Sequence, residues 1–133
     1  MKLFVDTSAW LALNDKNDQY HQQAVERSLD IKKQRIELIT SEYIVDESIT
    51  IIRYRISHQA AVMFGDSLFN SNIVRIYDVT QERRPAAWEL FKKYGDKDLS
   101  FTDCTSFALM KGLAIKKAFT FDAHFKKMGF EMF

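Results

Sequence analysis

Long apolar runs and paired cysteines are both missing from this 133-residue sequence. No stretch approaches the ~20 consecutive apolar residues that a membrane-spanning helix needs, and the N-terminus has no apolar signal region. These absences predict a cytoplasmic protein with no membrane partner. The single cysteine, Cys104, cannot form an internal disulfide and has no cysteine or histidine companion at metal-ligand spacing. A buried position in the core is therefore favoured over a role as a nucleophile.

Glycine and proline are also scarce, with 4 and 1 residues, so no flexible linker or low-complexity segment divides the chain. Hydrophobic residues make up 47% of the sequence, and a chain of this length buries roughly two thirds of its unfolded surface. Residues 1–133 are therefore predicted to form a single domain. The formal net charge of only +1 gives no strong electrostatic argument for a nucleic-acid partner.

Apolar runs alternate with helical patterns along nearly the whole chain. Short strands are predicted at residues 2–5, 36–40, 73–77 and 117–121, with a fifth at the C-terminal end. Between them, helical patterns are predicted from the first strand to about Lys33, at 42–56 and 57–70, from Thr80 as N-cap to Gly95, and after about residue 100. This order predicts an α/β fold with a mainly parallel sheet of four to five strands, covered on both faces.

Two aspartates directly follow predicted strands, Asp6 after the first and Asp122 after the fourth. Each could simply cap a turn or a helix, because aspartate is among the best capping residues. However, parallel sheets bind their ligands at the carboxyl ends of the strands, close to a topological switch point. Both acids are therefore candidates for one site at that edge of the sheet.

Two further acids lie on predicted helices. Glu47 flanks the apolar stripe of the helix after the second strand, where a solvated position explains it almost as well as a ligand does. Asp103 lies on the apolar stripe of its helix, yet Ser100 and Asp103 also resemble a capping box with Asp in place of Glu. The two interpretations of Asp103 are compatible.

Four carboxylates brought together would repel one another and raise their own pKa values unless a cation lay among them. Oxygen ligands without a thiolate or imidazole cluster are typical of Mg²⁺ or Mn²⁺ sites. Such a site can polarise a phosphodiester and activate a water molecule.

Four segments, in this order, carry a family resemblance: "FVDTSAW", "TSEYIVDESITIIRYR", "LSFTDCTSFALMKG" and "KKAFTFDAHFKKMGF". Together they resemble the PIN-domain ribonucleases, and most closely the VapC-type toxins of toxin-antitoxin pairs, over essentially the full length. The resemblance implies a three-layer α/β/α fold and a metal-dependent endoribonuclease that cuts RNA. It also implies a homodimer that is inhibited by a small antitoxin protein.

The family's acidic quartet falls on Asp6, Glu47, Asp103 and Asp122 as catalytic and metal-binding residues. Its assisting hydroxyls match Thr7 or Ser8 near the first acid, and Thr102 or Ser106 near the third. Asp46 competes with Glu47 for its place, and Asp98 is at most a neighbour of the ligands. Some PIN domains are housekeeping nucleases without an antitoxin, and that alternative stays open.

A different class, the Mg²⁺-binding receiver module, also places acids at strand ends. Its phospho-accepting residue follows the central strand, a position that Asp78 could fill. A receiver, however, has an adjacent acidic pair after its first strand, and "VDTS" offers one acid. Surface or packing roles are favoured for His21, His58 and His124, although His124 could contact substrate. Trp10 and Trp88 are predicted to be core residues.

Overall fold

A computed structural model describes all residues from Met1 to Phe133, and its centre is a five-stranded sheet in which every pairing is parallel. The strands run in the order β3-β2-β1-β4-β5. Their bounds are Lys2–Val5 (β1), Glu37–Ser41 (β2), Val74–Tyr77 (β3), Lys117–Phe119 (β4) and Glu131–Met132 (β5). The predicted parallel α/β sheet is confirmed.

Seven helices cover the sheet. Their bounds are Thr7–Asn14 (α1), His21–Gln34 (α2), Glu42–Arg55 (α3), His58–Phe69 (α4), Arg84–Lys93 (α5), Phe101–Gly112 (α6) and His124–Lys127 (α7). The chain moves from β1 to β2 to β3 in one direction and returns to β4 and β5 in the other. Right-handed crossovers therefore place α1 to α4 on one face and α5 to α7 on the other, which gives three layers.

The prediction of one helical stretch up to Lys33 is wrong, because two helices occupy this region. The break contains two local side-chain turns, in which Asp15 accepts from the backbone N–H of Asn17 and Asp18 accepts from that of Tyr20, at 3.0 and 2.8 Å. Such bonds offer the backbone an alternative to helical pairing.

Thr80 is likewise not the N-cap of the following helix. Its carbonyl accepts from the N–H groups of Arg83 and Arg84 in a preceding turn, and α5 begins only at Arg84. Pro85 then lies in the first turn, where the missing N–H costs no helical hydrogen bond.

Phenylalanines hold α6 and α7 against the sheet. The ring of Phe125 lies 6.2 Å from that of Phe4 and 4.9 Å from that of Phe107, and all three side chains are fully buried. Cys104 and Trp10 are buried as predicted. Trp88 is not a core residue, because it is 49% exposed and stacks on Phe91 at the surface.

No helix in the structure has both the length and the apolar character needed to cross a membrane. The sheet order places the topological switch point between β1 and β4. The receiver alternative is wrong, because it needs Asp78 to follow the central strand of the sheet. Asp78 instead follows β3, which is an edge strand, and its side chain is exposed.

Candidate active site

The first and fourth strands end side by side at the switch point. Val5 pairs with Phe119 in the parallel ladder, so the next residues, Asp6 and Thr120, leave the sheet together. The Asp6 N–H still donates to the Phe119 carbonyl at 3.1 Å. The strand register alone therefore brings a carboxylate and a hydroxyl into contact across 114 residues of sequence.

Two hydroxyls hold the Asp6 carboxylate. Ser8 Oγ donates to Asp6 Oδ2 at 2.9 Å, and Thr120 Oγ1 donates to the same oxygen at 3.1 Å. Each hydroxyl also accepts a backbone N–H from the exit of β4, Ser8 from Phe121 and Thr120 from Asp122, both at 3.0 Å. Asp6 caps α1 as well, since its side chain accepts the Ser8 N–H at 3.4 Å. The Asp6 side chain therefore caps α1 and takes part in the candidate site in the same conformation.

Burial makes Asp6 an unusual carboxylic acid. The residue is only 5% exposed, and this desolvation raises its pKa to about 6. The donated hydrogen bonds from Ser8 and Thr120 oppose the rise, whereas the charge of Asp103 adds to it. A buried acid with a raised pKa at a switch point is typical of a functional site.

Asp122 is fixed by the residue that begins α7. Its Oδ1 accepts the backbone N–H of His124 at 2.9 Å and lies 2.8 Å from the imidazole Nδ1 of the same residue. Asp122 is partly exposed. Ligand atoms of Asp103, Asp122 and His124 all lie within 4.8 Å of one another, a spacing suited to a metal ion.

Asp103 belongs both to a cap and to this group. Its Oδ2 accepts the Ser100 N–H at 3.0 Å while its own N–H donates to Ser100 Oγ at 2.9 Å, which confirms the predicted capping box. Desolvation raises the pKa of Asp103, the Ser100 N–H lowers it, and the nearby charge of Asp122 raises it again. The capping box therefore orients a carboxylate whose pKa also depends on the charge of Asp122.

Glu47 reaches the group from the opposite face of the sheet, on α3. Desolvation, followed by the charge of Asp103, raises the pKa of this half-buried carboxyl. The hydroxyls of Thr7 and Thr102 lie close enough to oppose the rise, although the buried Thr7 Oγ1 completes no hydrogen bond of ordinary geometry. The neighbouring Asp46 is exposed.

The structure therefore brings the four predicted acids into one electrostatic cluster, here called the acidic site: Asp6, Glu47, Asp103 and Asp122. Asp103 is its centre, because its charge raises the pKa of both Asp6 and Glu47 and the charge of Asp122 raises its own. Asp46, Asp78 and Asp98 are exposed, and of these only Asp46 acts on the acidic site, where its charge adds to the rise in the pKa of Glu47.

The donor set fits a divalent cation. Three of the four acids have raised pKa values, and a cation among them would remove the repulsion that contributes to the rise. The buried hydroxyl of Thr7, which lies near Glu47, has no hydrogen-bond partner, as expected of a polar group beside a site for an ion and its waters. Magnesium keeps several waters and needs few carboxylates.

Of the predicted supporting hydroxyls, Ser8 contacts Asp6 directly and Thr102 lies near Glu47. Sequence reasoning missed Thr120, which is fully buried between Asp6 and the backbone of Asp122. The position of Thr120, two residues before Asp122 at the end of a predicted strand, could have indicated that its hydroxyl lies beside the site. Sequence reasoning also missed the contact of the His124 imidazole with Asp122, because it considered only surface, packing and substrate-contact roles for this residue.

A surface cleft of about 400 Å³ between α3 and α6 adjoins the acidic site. Glu47 and Thr102 line it, together with Tyr43 and Thr50. A larger cleft of about 890 Å³ between α5 and α6 contains no acidic-site residue and is lined in part by Lys92, Lys93 and Lys111. Of these two clefts, only the smaller one contains a residue of the acidic site, Glu47.

Comparison with known proteins agrees with the fold. The family model of the PIN domain matches residues 3–131. The 23S rRNA-specific endonuclease VapC20 of Mycobacterium tuberculosis, from strains CDC 1551 and H37Rv, is 35% identical over 128 residues, which is 96% of this chain and 95% of that protein.

Two solved structures are also similar. The crystal structure of M. tuberculosis VapC20, described as a sarcin-ricin loop cleaving toxin, superposes with a TM-score of 0.87 at 32% identity and covers 96% of this chain and 95% of that one. VapBC2 of Rickettsia felis, solved with a DNA fragment from its promoter, has a TM-score of 0.72 over 100% of this chain and 98% of that one. At 12% identity it shows the fold alone.

Proposed function

The chain belongs to the PIN-domain family, and from this membership we propose that it is a metal-dependent endoribonuclease of the VapC type, formed by residues 1–133 as one nuclease domain. The observation that carries the proposal is the convergence of four acids, from two strand exits and two helices, on the switch point of a parallel sheet. A structural role does not require this convergence, because each acid could cap its own segment separately.

The acidic site binds Mg²⁺ or Mn²⁺ in this proposal, with Asp6, Glu47, Asp103 and Asp122 as the residues that hold the ion directly or through water. When bound, a divalent cation polarises the phosphodiester and lowers the pKa of water. Thr7, Ser8, Thr102 and Ser106 support the acids with hydroxyls. All-oxygen ligands favour these hard cations over zinc or copper.

The protein's own contribution is to place charge before the substrate arrives. Ser8 and Thr120 hold Asp6 Oδ2, which leaves Oδ1 as the oxygen available for ligation. The capping box aims Asp103, and Glu47 approaches from the cleft side. Carboxylates fixed in this way need no rearrangement during the reaction, which lowers its barrier.

The substrate is RNA, and the similarity to VapC20, a 23S rRNA-specific endonuclease, makes 23S rRNA the first substrate to test. The two chains share the fold, and they are 35% identical over 128 residues. Selectivity among RNAs depends on loop shape and on contacts with unstacked bases, and these are made by the surface.

An antitoxin partner and a homodimer complete the proposal. Exposed apolar side chains on α3 and α4 support a partner surface, since Tyr54 is 82% exposed and Met63 and Phe69 are each 65% exposed. A homodimer would show as twice the 15.6 kDa chain mass in light scattering.

The test is cleavage of purified 23S rRNA, with tRNA and mRNA as competing substrates. We expect cleavage in Mg²⁺ or Mn²⁺, none in chelator, and none with Asp103→Asn. The matched control is Asp66→Asn, which removes an exposed aspartate on α4 that does not act on the pKa of any acidic-site residue and should leave cleavage unchanged. Cleavage that persists after complete chelation, or that Asp103→Asn retains, would contradict the proposal.

A further inference from the structure

His124 makes two bonds to a single atom of the acidic site. Its backbone N–H donates to Asp122 Oδ1 at 2.9 Å, and its imidazole Nδ1 lies 2.8 Å from the same oxygen. An ionised carboxylate oxygen can only accept, so Nδ1 carries the proton and donates. Both bonds end on Oδ1, which leaves Oδ2 as the oxygen of Asp122 with free lone pairs.

The backbone of His124 is held in place by the neighbouring residue. The next residue, Phe125, is fully buried, stacks on Phe4 and meets Phe107 edge to face, so the first turn of α7 is anchored in the core. The His124 side chain itself is 27% exposed, and its imidazole contacts Asp122. This contact gives the ring a defined orientation toward the acidic site.

We propose that His124 is a positioning residue that holds Asp122 through Oδ1, which leaves Oδ2 free for a divalent cation that Asp103 and Asp122 would hold together. The inference rests on the proposed function and names a residue outside the four acids. Groups that hydrogen-bond a ligating carboxylate or imidazole orient it, and their loss typically lowers metal affinity 10- to 100-fold. The imidazole is not itself a ligand in this arrangement.

A pair of amide variants separates the two ring nitrogens. In His124→Asn the amide nitrogen is attached to Cγ, as Nδ1 is, so the donor to Asp122 is kept. In His124→Gln the amide nitrogen is one bond further out, near the position of Nε2, and the donor at Nδ1 is lost. The matched control is His58→Gln, which changes an exposed histidine at the start of α4.

The primary measurement is Mn²⁺ affinity of the RNA-free protein, by calorimetry or by electron paramagnetic resonance of free Mn²⁺. We expect His124→Gln to bind Mn²⁺ ~10-fold more weakly than wild type, and His124→Asn and His58→Gln to bind like wild type. At saturating Mn²⁺ the cleavage rate of His124→Gln should approach that of wild type, with an unchanged KM for RNA. Thermal melts of all variants establish that each is folded.

Three results would overturn the inference. Equal Mn²⁺ affinity in His124→Gln and wild type would show that the bond to Asp122 does not prepare the site. A nitrogen directly bonded to Mn²⁺ in pulsed resonance spectra would make His124 a ligand instead. A raised KM for RNA with normal Mn²⁺ affinity would make it a substrate contact. Wild type that binds no Mn²⁺ at all would overturn the proposed function as well, so the two failures are distinguishable.

Discussion

The acidic site has two halves that are held in different ways. In the half formed by the strand exits, Asp6 and Asp122 accept hydrogen bonds from Ser8, Thr120 and His124, whose own positions are set by the backbone. In the half formed by the helices, Asp103 is oriented by its cap, while Glu47 is a longer, half-buried side chain with only nearby hydroxyls.

This difference indicates that the strand half determines the geometry of the site and that Glu47 adapts to it. A short aspartate side chain at a strand exit has few rotamers and is held here by hydrogen bonds from several residues. A glutamate on a helix has more rotatable bonds and can adjust its reach. The predictions below test that division, beginning with the largest expected effect.

A change of side-chain length should have opposite consequences in the two halves. Asp6→Glu adds a methylene at a buried position and displaces the carboxylate. We expect RNA cleavage to fall ~1000-fold, which is about 4 kcal/mol in the barrier, whereas Glu47→Asp should lose only ~10-fold, about 1.4 kcal/mol. Rates are measured at saturating Mg²⁺, and equal losses in both variants would remove the distinction.

The buried acid of the strand half should make the metal-free protein less stable at higher pH. Burial raises the pKa of Asp6 from 3.8 to about 6, so the folded state binds more protons than the unfolded state between these values. The stabilisation is present below pH ~4 and is lost as the pH rises through about 6, a change of about 3 kcal/mol.

Denaturant unfolding of metal-free protein at pH 4 and pH 7 measures this change. Asp6→Asn should reduce the difference between the two pH values, and the remainder should come from the raised pKa values of Glu47 and Asp103, which act with the same sign. A variant that keeps the full wild-type difference would show that Asp6 is not the main source.

Thr120→Val tests the hydroxyl that joins the two strand exits. The change keeps the shape but leaves the Asp122 N–H without its acceptor and Asp6 with one donor fewer, at a cost of about 1 to 3 kcal/mol in stability. Cleavage at limiting Mg²⁺ should fall as well. The control is Thr40→Val, an equally buried threonine that donates to Val5 O. It should lose stability but retain cleavage.

In the helix half, two substitutions distinguish the role of Asp103 as a helix cap from its role as a charged residue of the acidic site. Asp103→Asn keeps an oxygen for the Ser100 N–H but removes a repelling charge, so in chelator it should melt no lower than wild type and should not cut RNA. Ser100→Ala removes the cap hydroxyl, should cost about 1 kcal/mol, and should still cut RNA at saturating Mg²⁺. If Asp103→Asn were less stable in chelator and still cut RNA, Asp103 would be only a helix cap.

Much of the fold was predictable because its signals are local. Apolar runs such as "KLFV" and "IVRIY" coincide with strands β1 and β3, and the alternation of strands and helices implied the parallel sheet. The break between α1 and α2 was missed because the composition of this segment is compatible with a helix. The side chains of Asp15 and Asp18 instead accept backbone N–H groups two residues ahead, which favours turns. Trp88 was misplaced because an apolar residue on a helix face does not reveal whether that face is covered.

By itself, the sequence determined which acids follow strands, which lie on helices, and in what order they occur, and those features carried the family resemblance. Only the tertiary structure decided how the acids are held. The contact between Asp6 and Thr120 spans 114 residues and depends on the register of two strands, and the position of His124 depends on the burial of Phe125. Hydrogen-bond partners and raised pKa values depend on distances and burial, and both arise only when separate segments pack together.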